Sequence, residues 1–131
     1  MTFSFLNPLP LTKDPKALGK LGEKLAGRLL KKSGYKILQK NYRCPLGEID
    51  LIAYQGDCLV FVEVKTRSGY AYGGPLAALT KKKRARVVRS AQFYLKQKRL
   101  SGVNYRFDVV SIVKEDRRKP QIEHIRNAFG G

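Results

Sequence analysis

An α/β fold with a mixed central β-sheet flanked by helices is what this sequence predicts, on three observations. Leu18, Leu21, Leu25 and Leu29 recur at a helical period near the N-terminus. Three strand-like runs then crowd into residues 35–66 with only short turns between them. A second helical pattern and a further apolar run follow. The order helix, three strands, helix, strand suggests a sheet covered by helices.

The first helix is expected over about residues 16–33, with Lys20, Lys24, Arg28 and Lys31 on the arc opposite its leucines. Gly34 stops it. A strand follows over 35–42, with Tyr35 and Ile37, and at the margin Leu38, turned to the core. Gly47 opens a second strand over 48–54, and Gln55-Gly56-Asp57 is a turn. The third strand, 58–66, is apolar on both faces at its centre (Leu59-Val60-Phe61-Val62) and should lie buried in the middle of the sheet. The short turn makes these two strands an antiparallel hairpin. A glycine-rich loop spans 68–75, and Thr80 can cap a helix over 81–99 whose buried stripe is Val87, Val88, Ala91, Tyr94 and Leu95. A strand over 105–113, a charged turn over 114–119 and a short strand over 121–125 complete the chain.

The 131 residues suit one compact domain, taken as 16–131. Residues 1–15, with Pro8, Pro10 and Pro15, read as a flexible arm. The N-terminus has no basic region and no small-residue cleavage site, and no apolar run approaches the roughly 20 residues of a membrane span, so a cytoplasmic protein without membrane contact is expected. Cys44 and Cys58 lack C-x-x-C spacing and read as free thiols acting as small buried hydrophobes. His124 is the only histidine, which argues against a Cys/His zinc site.

The net charge is +17, from 27 Lys and Arg against 10 Asp and Glu. A polyanion would offset it: DNA, RNA or an anionic membrane. Residues 64–107 hold twelve basic residues and no acid. Lys81, Lys82 and Lys83 crowd a predicted helix start, where the dipole disfavours cations by about 0.3–1 kcal/mol each. Free backbone N–H groups at that end favour a phosphate. A solvated basic face is the plainer account, yet such faces ordinarily mix signs.

The acids are more telling. Glu63 and Lys65 end the most hydrophobic strand and share one of its faces. Asp50 is embedded in Ile49-Asp50-Leu51-Ile52, and the short hairpin turn brings it beside Glu63. Two adjacent carboxylates repel unless a cation bridges them, and a divalent ion with oxygen ligands resolves the conflict. Pairing of Asp50 or Glu63 with Lys65 would satisfy the same residues without metal. Glu23, the one acid of the first helix, lies at the edge of its apolar face.

Several segments resemble the YraN-like bacterial proteins, which are related to restriction endonucleases and archaeal Holliday junction resolvases. The resemblance is carried by Asn41-Tyr42-Arg43, Gly47-Glu48-Ile49-Asp50-Leu51-Ile52-Ala53 and Val60-Phe61-Val62-Glu63-Val64-Lys65-Thr66-Arg67. Arg106-Phe107-Asp108-Val109-Val110 and the stretch from Ile122 to Phe129 add to it, so that it covers about residues 18–129. It implies a restriction-endonuclease-like core and a magnesium-dependent endonuclease acting on DNA rather than RNA, branched or damaged DNA included. A nucleic-acid-binding module with a degenerate nuclease fold is the alternative. In that core Asp50 and Glu63 would hold Mg²⁺, or Mn²⁺, with the Val64 carbonyl as a further ligand. Lys65 would orient the attacking water or offset phosphate charge, and Glu23 matches the helix glutamate of resolvase-like members. Arg43, Arg67, Lys81, Lys82, Lys83, Arg84 and Arg86 would contact nucleic acid, Arg84 standing where the family usually carries glutamine. By analogy with the resolvases, a homodimer is implied.

Overall fold

The structure, a computed structural model, describes residues 14–68, 79–115 and 119–130. Two helices and five strands follow one another as α1 (Pro15–Lys32), β1 (Lys36–Cys44), β2 (Gly47–Gln55), β3 (Cys58–Arg67), α2 (Lys81–Gln97), β4 (Asn104–Val113) and β5 (Gln121–Phe129). The strands form one sheet in the order β1-β2-β3-β4-β5. β3 and β4 run parallel, and every other neighbouring pair is antiparallel. This is the mixed α/β sheet flanked by helices that the sequence predicts, consistent with a restriction-endonuclease-like core.

Local chemistry explains the boundaries. The Asp14 side chain accepts from the Lys16 amide at 3.1 Å, and Pro15 occupies the first turn, where its missing N–H costs nothing. The helix therefore starts one residue earlier than expected, and residues 1–13 of the expected arm lie outside the described residues. Gly34, at φ +89°, provides the left-handed exit from α1. Thr80 caps α2 by accepting from the Lys83 amide at 3.1 Å. Most of the expected glycine-rich loop (69–78) and part of the charged turn (116–118) are also outside the described residues.

Each helix covers one face of the sheet. On one side Leu25, Ala26, Leu29 and Leu30 of α1 pack on Leu51, Ala53, Val60, Val62, Val110 and Ile112. On the other, Val87, Ala91 and Tyr94 of α2 pack on Tyr42, Ile49, Ile52, Leu59, Phe61 and Phe107. β3 is buried on both faces, because it sits at the centre with a helix on each side.

Four expectations need correction. Leu38 is 40% exposed, because pairing shifts register between Ile37 and Gln39 and turns it outward. Val88 and Leu95 are only half-buried, at the margin of the α2 stripe. Cys44 and Cys58 are likewise half-buried, near strand ends that the helices do not fully cover. β5 extends to Phe129, four residues beyond its expected end.

Candidate metal and nucleic-acid site

The turn between β2 and β3 sets Gln55 opposite Cys58, and the pairing runs from there to Leu51 opposite Val62. One rung further the strands separate, and acidic side chains take over the freed amides. The Val64 N–H donates to Asp50 Oδ2 at 2.8 Å, and the Asp50 N–H donates in turn to the Glu63 carboxyl. The site residues thus finish the ladder where backbone pairing stops.

Asp50 also marks a break in β2. Leu51 belongs to the α1-side core, whereas Ile49, two residues earlier, belongs to the α2-side core. Regular alternation would put both on one face. Opposite Asp50, Asn41 adopts φ +52° and drops out of the β1–β2 pairing. With both strands turned over at this rung, Asp50 can meet groups from either helix layer. From α1, Glu23 shares side-chain hydrogen bonds with Asp50 and Asn41. From α2, Lys83 places its Nζ 3.8 Å from Glu63 Oε2. Lys65, on the same face as Glu63, has the Lys83 side chain as a close cationic neighbour.

α1 approaches this closely because residue 22 is glycine. A Cβ there would sit 1.8 Å from Thr66 Oγ1 of β3. That hydroxyl is buried and has no hydrogen-bond partner among the described residues.

Electrostatically the site is unresolved. Glu63 is 3% exposed. Burial first, and then the neighbouring Asp50, push its carboxyl up to about 8. Lys83, 3.8 Å away, and Lys65 pull it down but do not prevail over burial and Asp50. Asp50 is also raised, mainly by burial, against the opposing Val64 amide and Lys83. Glu23 is raised by burial and by Asp50. The Lys65 ammonium is lowered by burial and by Lys83.

A second buried acid provides the contrast. Asp108, fully buried in β4, accepts from Arg106 Nε at 2.9 Å and from the Asn127 amide at 3.0 Å, and lies 2.9 Å from His124 Nε2. Tyr35 and Gln55 hold the same arginine, through contacts of 2.8 and 2.7 Å with Arg106 Nη2. Burial alone would raise Asp108, yet these donors hold it below the usual carboxylate range. In sequence, Asp108 looks like Asp50, an acid in an apolar strand. Only the partners tell a satisfied structural carboxylate from an unsatisfied one.

The structure brings Glu23, Asp50, Glu63 and Lys65 to one end of β2 and β3, with Val64 between the last two. Among the described residues no group of three or more His, Cys, Asp or Glu is arranged to hold a metal ion. Any cation here would rest on fewer protein carboxylates.

The basic residues divide. Lys81, Lys82 and Arg86 are exposed on the first turns of α2. The hairpin between β1 and β2 touches the same helix: a Cβ on Gly47 would lie 4.0 Å from the Arg86 Cβ. That hairpin carries Arg43, exposed and 3.7 Å from an exposed Glu48 carboxylate, a contact worth little in solvent. Lys83 faces Glu63 instead. Arg84 donates its Nε to the Leu79 carbonyl at 3.0 Å, and Arg67 is half-buried at the end of β3. Sequence reasoning missed the parts of Asn41 and Lys83 at the acids. The Asn41 contribution comes from backbone geometry that no side-chain pattern announces.

Residues 22–112 match the family described as "Uncharacterised protein family UPF0102". The chain belongs to that family. It is 46% identical over 116 residues to a UPF0102 protein of Geotalea daltonii, covering 88% of this chain and 91% of the relative. It is 44% identical over 120 residues to one from Moorella thermoacetica, covering 91% of this chain and all of the relative. A Rhodococcus opacus member is 48% identical over 113 residues, 86% of this chain and 96% of the relative. The YraN-like resemblance is upheld at the level of the family. These names state no activity. Among the described residues no helix is long and apolar enough to cross a membrane.

Proposed function

We propose that this UPF0102 member is a magnesium-dependent endonuclease acting on DNA in the cytoplasm. The observation that carries the proposal is the contrast between the acids set into the sheet. Asp108 is neutralised by protein donors, whereas Asp50 and Glu63 are held side by side with their carboxyls raised. A fold keeps two such groups adjacent at a cost, and a hard divalent cation removes that cost.

The donor set fits Mg²⁺. This ion prefers oxygen ligands and is commonly bound through one or two carboxylates, with water and substrate phosphate completing its octahedron. Asp50 and Glu63 would hold it, with the Val64 carbonyl as a further ligand. When bound, it would polarise the scissile phosphate and lower the pKa of a coordinated water. Lys65 would sit at the reacting phosphate, orienting water or offsetting developing charge. Glu23 would act as a positioning residue, bracing Asp50 together with Asn41. Lys81, Lys82 and Arg86, with Arg43 across the hairpin, offer cations for a nucleic-acid backbone leading to the site.

The test is a cleavage assay on linear, flapped and four-way DNA with Mg²⁺ or Mn²⁺, comparing wild type with Asp50→Asn. Metal-dependent cleavage that the substitution abolishes supports the proposal. DNA binding without cleavage under either metal replaces it with a binding module of nuclease-like fold.

A further inference from the structure

Lys83 is in an unusual position for a residue in the first turn of a helix. Its neighbours Lys81 and Lys82 are exposed. Lys83 instead turns its Nζ towards the buried Glu63 carboxyl, 3.8 Å away, while 45% of its side chain stays accessible. Lys65 is a close neighbour, so two ammonium groups stand together at one acidic pair. Like charges at such separation repel, and the positive end of the α2 dipole adds to the cost for Lys83. What holds Lys83 there is the carboxyl pair, with Glu63 Oε2 3.8 Å from its Nζ.

A divalent cation between those carboxyls would cancel that attraction and leave only repulsion. Of the two lysines, Lys65 is fixed in the central strand β3, whereas Lys83 lies at the solvent side of a helix terminus and can swing out without disturbing the core. Outside the site it joins Lys81 and Lys82 on an exposed cationic turn whose free amides also favour phosphate.

We infer that Lys83 is a displaceable counter-ion: it occupies the cation's place in the metal-free protein, and metal binding releases it to a backbone phosphate of the nucleic acid. The inference rests on the proposed metal site and adds a coupling to it. Metal and nucleic acid would each strengthen binding of the other, because both gain from the same lysine movement.

The experiment compares wild type, Lys83→Met and Lys82→Met. Mn²⁺ is titrated by calorimetry without nucleic acid. Lys83→Met should bind Mn²⁺ roughly tenfold more tightly, the size expected on removing one unit charge about 5 Å from a divalent ion in a water-like dielectric. Lys82→Met should match wild type. A short labelled DNA duplex is then titrated with each protein in EDTA and in Ca²⁺. Lys82→Met should weaken binding by the same factor in both, whereas Lys83→Met should weaken it chiefly in Ca²⁺. Unchanged or weaker Mn²⁺ affinity in Lys83→Met overturns the counter-ion role. Failure of wild type to bind Mn²⁺ at all overturns the metal site itself, and the inference with it.

Discussion

Replacing Glu63 with glutamine isolates the electrostatic cost of the site. Glu63 is 3% exposed, and its carboxyl is pushed from 4.5 to about 8. A raised carboxyl binds its proton more tightly in the folded state. Its contribution is therefore fully present below pH 4.5, fades as pH rises towards about 8, and is gone above that. At about 1.4 kcal/mol per pH unit, the full span is on the order of 5 kcal/mol, and about 3 kcal/mol is already lost at neutral pH. Glutamine keeps the shape of the protonated acid but cannot ionise. Metal-free Glu63→Gln should match wild type at about pH 4 and exceed it at about pH 8. At neutral pH the gain should approach 10 °C in melting temperature, from about 3 kcal/mol spread over the unfolding entropy of a chain this size. Lys83 loses a partner in the variant, but it is solvent-accessible and can turn outwards, so the sign stands. The assay is thermal unfolding by circular dichroism in EDTA across this pH range, repeated with Mn²⁺. Mn²⁺ should raise the stability of wild type and leave the variant unchanged. If Glu63→Gln is less stable than wild type at about pH 8, Glu63 serves as one half of a structural ion pair with Lys83 or Lys65, and the reasoning fails.

Lys65→Met should leave DNA affinity near that of wild type, since Lys65 is one of 27 basic residues. Cleavage should fall by roughly a hundredfold, a loss of about 3 kcal/mol in transition-state stabilisation; equal cleavage by the variant would remove Lys65 from the chemistry. Asp108→Asn should destabilise the protein by about 3 kcal/mol at neutral pH, because Arg106 and His124 lose their buried acceptor. Asp108 is held below its ordinary value, so its contribution is present above pH 3.8 and is lost as pH falls through its depressed pKa. Urea unfolding should therefore show the gap between wild type and variant closing in acid. Gly22→Ala should cost about 1–3 kcal/mol by forcing α1 off β3. Part of that loss should return with Thr66→Ala, which removes the hydroxyl a Cβ at residue 22 would meet at 1.8 Å. An additive double mutant would refute that contact.

Much of this architecture is local in origin and hence legible in the sequence. Periodicity placed both helices and the first four strands to within a residue or two, and the capping of α2 by Thr80 is written in its own side chain. The juxtaposition of Asp50 and Glu63 was legible for the same reason. A short turn sets the register of a hairpin, and the register carries down both strands. What only the tertiary structure decided lies wherever distant segments meet. Asp50 and Asp108 have the same local signature, and their opposite electrostatic states follow from partners supplied by β5, β2 and the chain after α1 in one case and largely withheld in the other. Lys83 reads in sequence as one of three consecutive lysines. It is singled out only because α2, which links β3 to β4 and packs over β2 and β1, lays its first turn against Glu63. Composition and spacing can name the charged groups. Which of them neutralise one another depends on distances of a few ångströms across the assembled layers, and over such distances burial and pairing act with opposite signs.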